Sequence, residues 1–227
     1  QRDQASRVVA MLLPWLLVAL AAGVVAFFMA PQGAWKSAFG VAGAAWVILG
    51  TARFVWSRLG NGGRMTPEMW GMVLAHVGIG VFLAGALLVE AQNVQREVAL
   101  RPGESLQVGR HEFVFQGVDQ LRGPNYLADR GHVLVRRGGR ELTLLHPEKR
   151  AYASGGQVMT EAGIRPGLFG DVYVALGESL GDGAWAVRVH IKPFVRWIWA
   201  GAFLMALGGL VTATDRRFRR IPQEKSP

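Results

Sequence analysis

Apolar positions in this chain are gathered into four long runs, at about 8–29, 38–57, 70–90 and 194–214. Each is close to the roughly 20 mostly apolar residues that a helix needs to cross a bilayer. Between the third and fourth runs the composition becomes that of an ordinary soluble domain, and the period changes to two. Residues 105–108, 112–118, 132–136, 141–145, 172–176 and 185–191 form short alternating runs. Turn residues separate them at 101–103, 123–125, 138–139 and 181–183. The pattern predicts a polytopic α-helical membrane protein with four transmembrane helices. It adds one antiparallel β domain, a small barrel or sandwich of about six to eight short strands. The expected divisions are two transmembrane helices and their loop in 1–65, a third in 66–91, and the β domain in 92–193. The last helix follows in 194–214, and then a basic tail, 215–227.

A net charge of +9 invites a nucleic-acid partner until the charges are located. Segments 1–7, 51–69 and 215–227 hold ten Lys/Arg against four Asp/Glu, whereas 92–193 holds thirteen against eleven. The basicity thus flanks the apolar runs, where Lys and Arg mark the cytoplasmic side of a membrane. No nucleic acid is needed to account for it. The rule puts both termini inside, together with a loop carrying Arg53, Arg58 and Arg64. The turn 31–37 falls outside, and so does 92–193, which in a bacterial inner membrane means the periplasm.

The third run carries one ionisable side chain, His76, about two turns from Trp70. An imidazole within a membrane span is costly without a partner and marks a functional site by default. Gly80 and Ala84 follow it on one helical face, leaving a flat slot for another helix or a flat cofactor. Thr66, Pro67 and Glu68 supply a helix start: an N-cap, a proline at the first helical position and an acid in the first turn. His76 can pack against a neighbouring helix or serve as an axial ligand to haem iron. The other three spans hold no histidine, so this chain alone cannot complete a two-histidine site.

Other chemistry is sparse. With no cysteine the chain has no disulfide framework and no thiol chemistry. His111, His132, His146 and His190 show no metal-ligand spacing. The cluster Glu148, Lys149, Arg150 reads as a solvated turn. Serine-hydrolase patterns and phosphate loops are absent, and so is a convincing carboxylate pair. No broken-helix pair supports a transporter. The first residue is Gln1, which fits a piece of a longer protein.

Several segments together carry a resemblance: 72–76 ending in His76, Gly123-Pro-Asn-Tyr126, Glu148-Lys-Arg150, 159–162, 171–178, 183–188 and 192–199. In this order they resemble the C-terminal part of the CcmF/NrfE/CycK family, the haem lyase subunits of cytochrome c maturation. The similarity runs from about Thr66 to Arg220. It implies a part in covalent haem attachment to apocytochrome c. It also implies a transmembrane haem b held by two histidines, with His76 matching the second. The implied partners are the upstream half of the lyase, a haem chaperone, apocytochrome c, and thioredoxin-like and apocytochrome-binding subunits. No Trp-Trp-Asp motif is present, and the partner histidine is expected upstream, so the chain resembles a C-terminal fragment or split-gene product with no complete active site of its own. A second reading makes it a non-catalytic membrane scaffold whose β domain recruits assembly partners, with His76 only packing.

Overall fold

The computed structural model describes residues 2–30 and 34–215, the side chains of 2–8 aside. Part of the expected turn at 31–37 and the tail 216–227 lie outside the described residues. Two compact units result, 1–92 with 194–227, and 93–193.

Among the described residues the first unit holds four helices, α1 (Arg2–Met29), α2 (Ala34–Gly60), α3 (Pro67–Gln92) and α4 (Val195–Ala213). All four are long and apolar enough to cross a membrane. The chain is a polytopic membrane protein. The start of α3 is as the sequence indicated, with Pro67 as first helical residue and the Met69 amide donating to Thr66 Oγ1 at 3.3 Å. Buried Asp215, just past α4, accepts a further bond from the Glu68 amide at 3.3 Å. A carboxylate there suits the positive end of the helix dipole.

Helix α3 lies between α2 and α4. In lipid, helices gain little from apolar burial, and small residues that let backbones approach become the main attraction. Here they recur every seven residues: Gly71, Gly78 and Gly85 on α3, Gly201 and Gly208 on α4. That period keeps one seam facing its partner along a gently supercoiled pair. A Cβ on Gly78 would come within 2.8 Å of the Gly201 carbonyl oxygen, and one on Gly208 within 2.5 Å of the Gly71 oxygen. The obstacle is backbone, which cannot rotate away. On its other side α3 receives α2, with Gly80 against Ile48 and with Leu83 and Leu87 filling the space above Gly43 and Gly40. A neighbouring helix therefore takes up the slot beside Gly80 that the sequence offered to a helix or a cofactor.

The second unit is a two-sheet sandwich. One sheet has β1 (Val94–Leu100), β10 (Ala184–Pro193), β9 (Gly170–Gly181) and β8 (Gly163–Arg165) in that order. The other runs β2 (Ser105–Val108), β3 (His111–Arg122), β4 (Tyr126–Arg137), β6 (Glu148–Tyr152) and β7 (Met159–Glu161), with β5 (Arg140–Leu145) beside β4. All paired strands are antiparallel. Alternate residues fill the space between the sheets: Phe113 and Phe115, Val133 and Val135, Val172, Val174 and Leu176, Val187 and Val189. Burying each such side chain contributes roughly 1.5–3 kcal/mol. Gly138 and Gly139, both at positive φ, close the β4–β5 hairpin in the geometry that matches strand twist.

All six sequence-predicted runs lie within strands, but ten strands form rather than six to eight. Glu148-Lys-Arg150 is no solvated turn. It is strand β6, and Glu148 is only 5% exposed. Its carboxylate accepts from Arg130 Nε at 2.7 Å and Arg150 Nε at 2.8 Å, and Arg150 also lies 3.7 Å from Glu161 and 4.7 Å from the Tyr126 ring centroid. Paired cations on both oxygens are what make such burial tolerable. Burial pushes the Glu148 carboxyl up, but the two arginine hydrogen bonds outweigh it and hold it below its ordinary value near 4.5.

Two predictions follow from this packing. Gly208→Ala should destabilise the helical unit by about 1–3 kcal/mol, while Gly209→Ala next to it, facing open space, should change little. Unfolding of the purified chain in mixed micelles distinguishes the two, and equal effects would remove the seam. A carboxyl with a lowered folded-state pKa contributes stability above its unfolded value, and that contribution is lost as pH falls through the folded value. Glu148→Gln should cost roughly 3 kcal/mol near neutrality and weaken the loss of calorimetric stability below about pH 4.5.

Candidate functional site

His76 lies on α3 one turn beyond Met72, and its side chain is exposed within the helical unit. Its Nδ1 is 2.9 Å from the Met72 carbonyl oxygen. A carbonyl only accepts, so Nδ1 carries the proton in this bond and Nε2 keeps the lone pair. The helix thereby fixes tautomer and ring orientation together, the arrangement that prepares a histidine for a metal.

The ring borders a cleft of about 310 Å³ among α1, α2 and α3. Leu12 and Trp15 come from α1, and Trp46, Val47, Gly50, Thr51, Arg53 and Phe54 from α2. Spacings of three, four and seven put this α2 set largely on one helical face. The wall is nearly all apolar or aromatic. The Thr51 hydroxyl turns away to donate to the Val47 carbonyl oxygen at 2.7 Å. Arg53 is the exception. The sequence placed it in a cytoplasmic loop, but α2 continues to Gly60, so Arg53 stands about two turns inside the helix, half-buried. Its role in the cleft was concealed because a cation near a span end reads as a topology marker.

The walls would suit a flat, largely apolar ring, and His76 adds a metal-ligating imidazole to them. No second histidine lines the cleft. Were haem bound here, it would supply a redox-active iron, and His76, Trp15 and Trp46 would be the residues to hold it.

The remaining histidines lie in the β unit. His132 and His146, 14 positions apart, come together edge to face with ring centroids 4.9 Å apart, and His132 Nε2 is 2.9 Å from Asp119 Oδ2. Burial pushes His146 down, with His132 and Arg130 adding to it. His111 is pushed down by burial and then by Arg137 and Arg165. His190 is pushed down by burial and then by Lys192 and Arg188. Among the described residues no group of three or more His, Cys, Asp or Glu side chains is arranged to hold a metal ion. A groove of about 450 Å³ on this unit mixes Arg122, Asp129, Lys149 and Glu178 with Leu121 and Val158. Its lining contains no histidine, serine or threonine to start acyl or phosphoryl transfer. The segments that carried the resemblance at 123–126, 148–150 and 159–162 meet around the Glu148–Arg150 cluster, where Tyr126 pairs in register with Tyr152.

Comparison with known proteins agrees with this architecture. Residues 91–193 match the family described as the CcmF C-terminal β-sandwich. The chain is 45% identical over 217 residues to the cytochrome c-type biogenesis protein CcmF of Pseudomonas fluorescens, covering 93% of this chain and 33% of that protein. To CcmF of Pseudomonas aeruginosa it is 47% identical over 181 residues, covering 77% of this chain and 28% of that one. A solved structure of the cytochrome c haem lyase CcmF shares the fold, with a TM-score of 0.68 at 20% identity over 89% of this chain and 34% of that one. The chain thus spans a third or less of the length of these relatives. Four apolar helices and a sandwich of this description, with identity extending through the helices as well as the strands, show that the chain carries the C-terminal β-sandwich of the CcmF family.

Proposed function

We propose that this chain is the C-terminal part of a haem lyase of cytochrome c biogenesis, and that His76 is one of two axial ligands of a haem b within the membrane. The observation that carries the reading is the His76 ring itself. It is exposed toward an aromatic cleft, with Nδ1 committed to the Met72 carbonyl and Nε2 left to bind. A histidine kept only for packing would press against a neighbouring helix, which is what Gly80 does one turn further along. The second ligand comes from the upstream part of the protein.

In this reading the sandwich faces the periplasm and both termini face the cytoplasm, as the flanking Lys and Arg require. The sandwich acts by docking. It offers a groove with charges of both signs and no histidine, serine or threonine in its lining, which suits holding apocytochrome c, the haem chaperone or the thioredoxin-like and apocytochrome-binding subunits near the membrane. Thioether formation itself belongs to the assembled complex.

The test is the visible spectrum of the full-length protein, purified with its upstream part, beside a His76→Ala version. The expected result is loss of a low-spin, two-histidine haem signal at unchanged protein yield, with partial recovery when imidazole is added. An unaltered spectrum would make His76 a packing residue and leave the scaffold reading, in which the sandwich alone carries the function.

A further inference from the structure

The His76 cleft does not end at its apolar walls. A second groove, of about 550 Å³, adjoins it and shares two residues with it, Trp15 and Arg53. Its lining adds Trp56, Ser57, Gly60 and Asn61 and is distinctly more polar. Arg53 therefore stands where an apolar slot opens into a polar one. It is half-buried, and among the described residues no carboxylate or hydrogen-bonding acceptor meets its guanidinium. Arg58, a turn further on, differs: it is exposed and donates through Nε to the Arg64 carbonyl at 3.4 Å.

A cation two turns inside a membrane helix is costly unless an anion meets it or its stem reaches water. Oxyanions of two sources could meet it, a lipid phosphate reached along the helix or a carboxylate on whatever occupies the cleft. The geometry favours the second. A phosphate would be met from the open side, as an arginine that snorkels does, whereas Arg53 lines the same walls as His76. A planar guanidinium presents parallel donors that match a carboxylate in two-point fashion. We infer that Arg53 is the carboxylate anchor of the His76 cleft: it pairs with an acidic side arm of the macrocycle at the mouth of the polar groove, while the ring lies against the tryptophan walls. The inference rests on the haem reading above and adds to it a positioning residue that sets both retention and electrostatics.

The experiment uses the full-length protein with its upstream part, carrying Arg53→Gln, Arg53→Lys or His76→Ala, matched for yield and for elution as a folded particle. Haem release to an excess of an apo haem-binding protein and the haem midpoint potential are both measured. Loss of a charge-assisted pair corresponds to roughly a tenfold effect on binding, so Arg53→Gln should release haem about tenfold faster. Its potential should fall, because an uncompensated carboxylate stabilises the oxidised iron. Arg53→Lys, which keeps the charge and loses the fork, should lie between. If Arg53→Gln matches the wild type in release and potential while His76→Ala has lost its haem, Arg53 serves a lipid phosphate and the inference fails alone. If His76→Ala keeps an unchanged haem, the haem reading fails and the anchor falls with it.

Discussion

The helical unit depends on one constraint, the close approach of α3 and α4 along glycines spaced by seven. Lipid tails offer these helices no gain from burying leucine against leucine, so contact between backbones has to hold them. Gly71 meets Gly208, Gly78 meets Gly201, and Gly85 meets the Trp197–Ile198 backbone, with no room for a methyl group at any of the three. Because this face of α3 is committed to α4, and the face with Gly80 to α2, His76 has one free direction left, toward the cleft formed with α1 and α2. The histidine is presented by the packing of residues that have no chemistry of their own.

In the sandwich the corresponding constraint is ionic. The carboxylate of Glu148 is buried between Arg130 and Arg150, and Arg150 extends the cluster to Glu161 and the Tyr126 ring. Buried ion pairs add little net stability but are severely unfavourable when half broken, so they specify register better than they add strength. Here they tie β6 and β7, strands too short or too polar to be held by apolar alternation alone, to β4. The segments that linked the chain to its family by sequence are the ones this cluster joins.

What the sequence disclosed follows the same physics. The four helices were legible because a bilayer demands long apolar runs, and the main sandwich strands because Phe113, Val133, Val174 and Val187 alternate with polar neighbours. Strands β1, β6, β7 and β8 were not: β1 carries three exposed polar residues in a row, five, three and three residues in the others leave little periodicity to read, and β6 hides its buried side chain in a charge. His76 was conspicuous as an ionisable group in an apolar run. Arg53 was not, because a cation near the end of the 38–57 run reads as a marker of the cytoplasmic side. Gly80 beneath the histidine marked a true packing face, the one toward α2, while the glycine seam toward α4 was visible only as a spacing of seven.

The central claim is that the His76 imidazole, held by the Met72 carbonyl, presents Nε2 to an iron in the cleft of α1, α2 and α3. The most direct measurement is a cryo-electron microscopy map of the full-length protein purified with its haem. Planar density between Trp15 and Trp46, with iron against His76 Nε2 and a second ligand from the upstream part, is the predicted result. A map in which lipid or a helix fills that cleft, with haem ligated elsewhere, would contradict it.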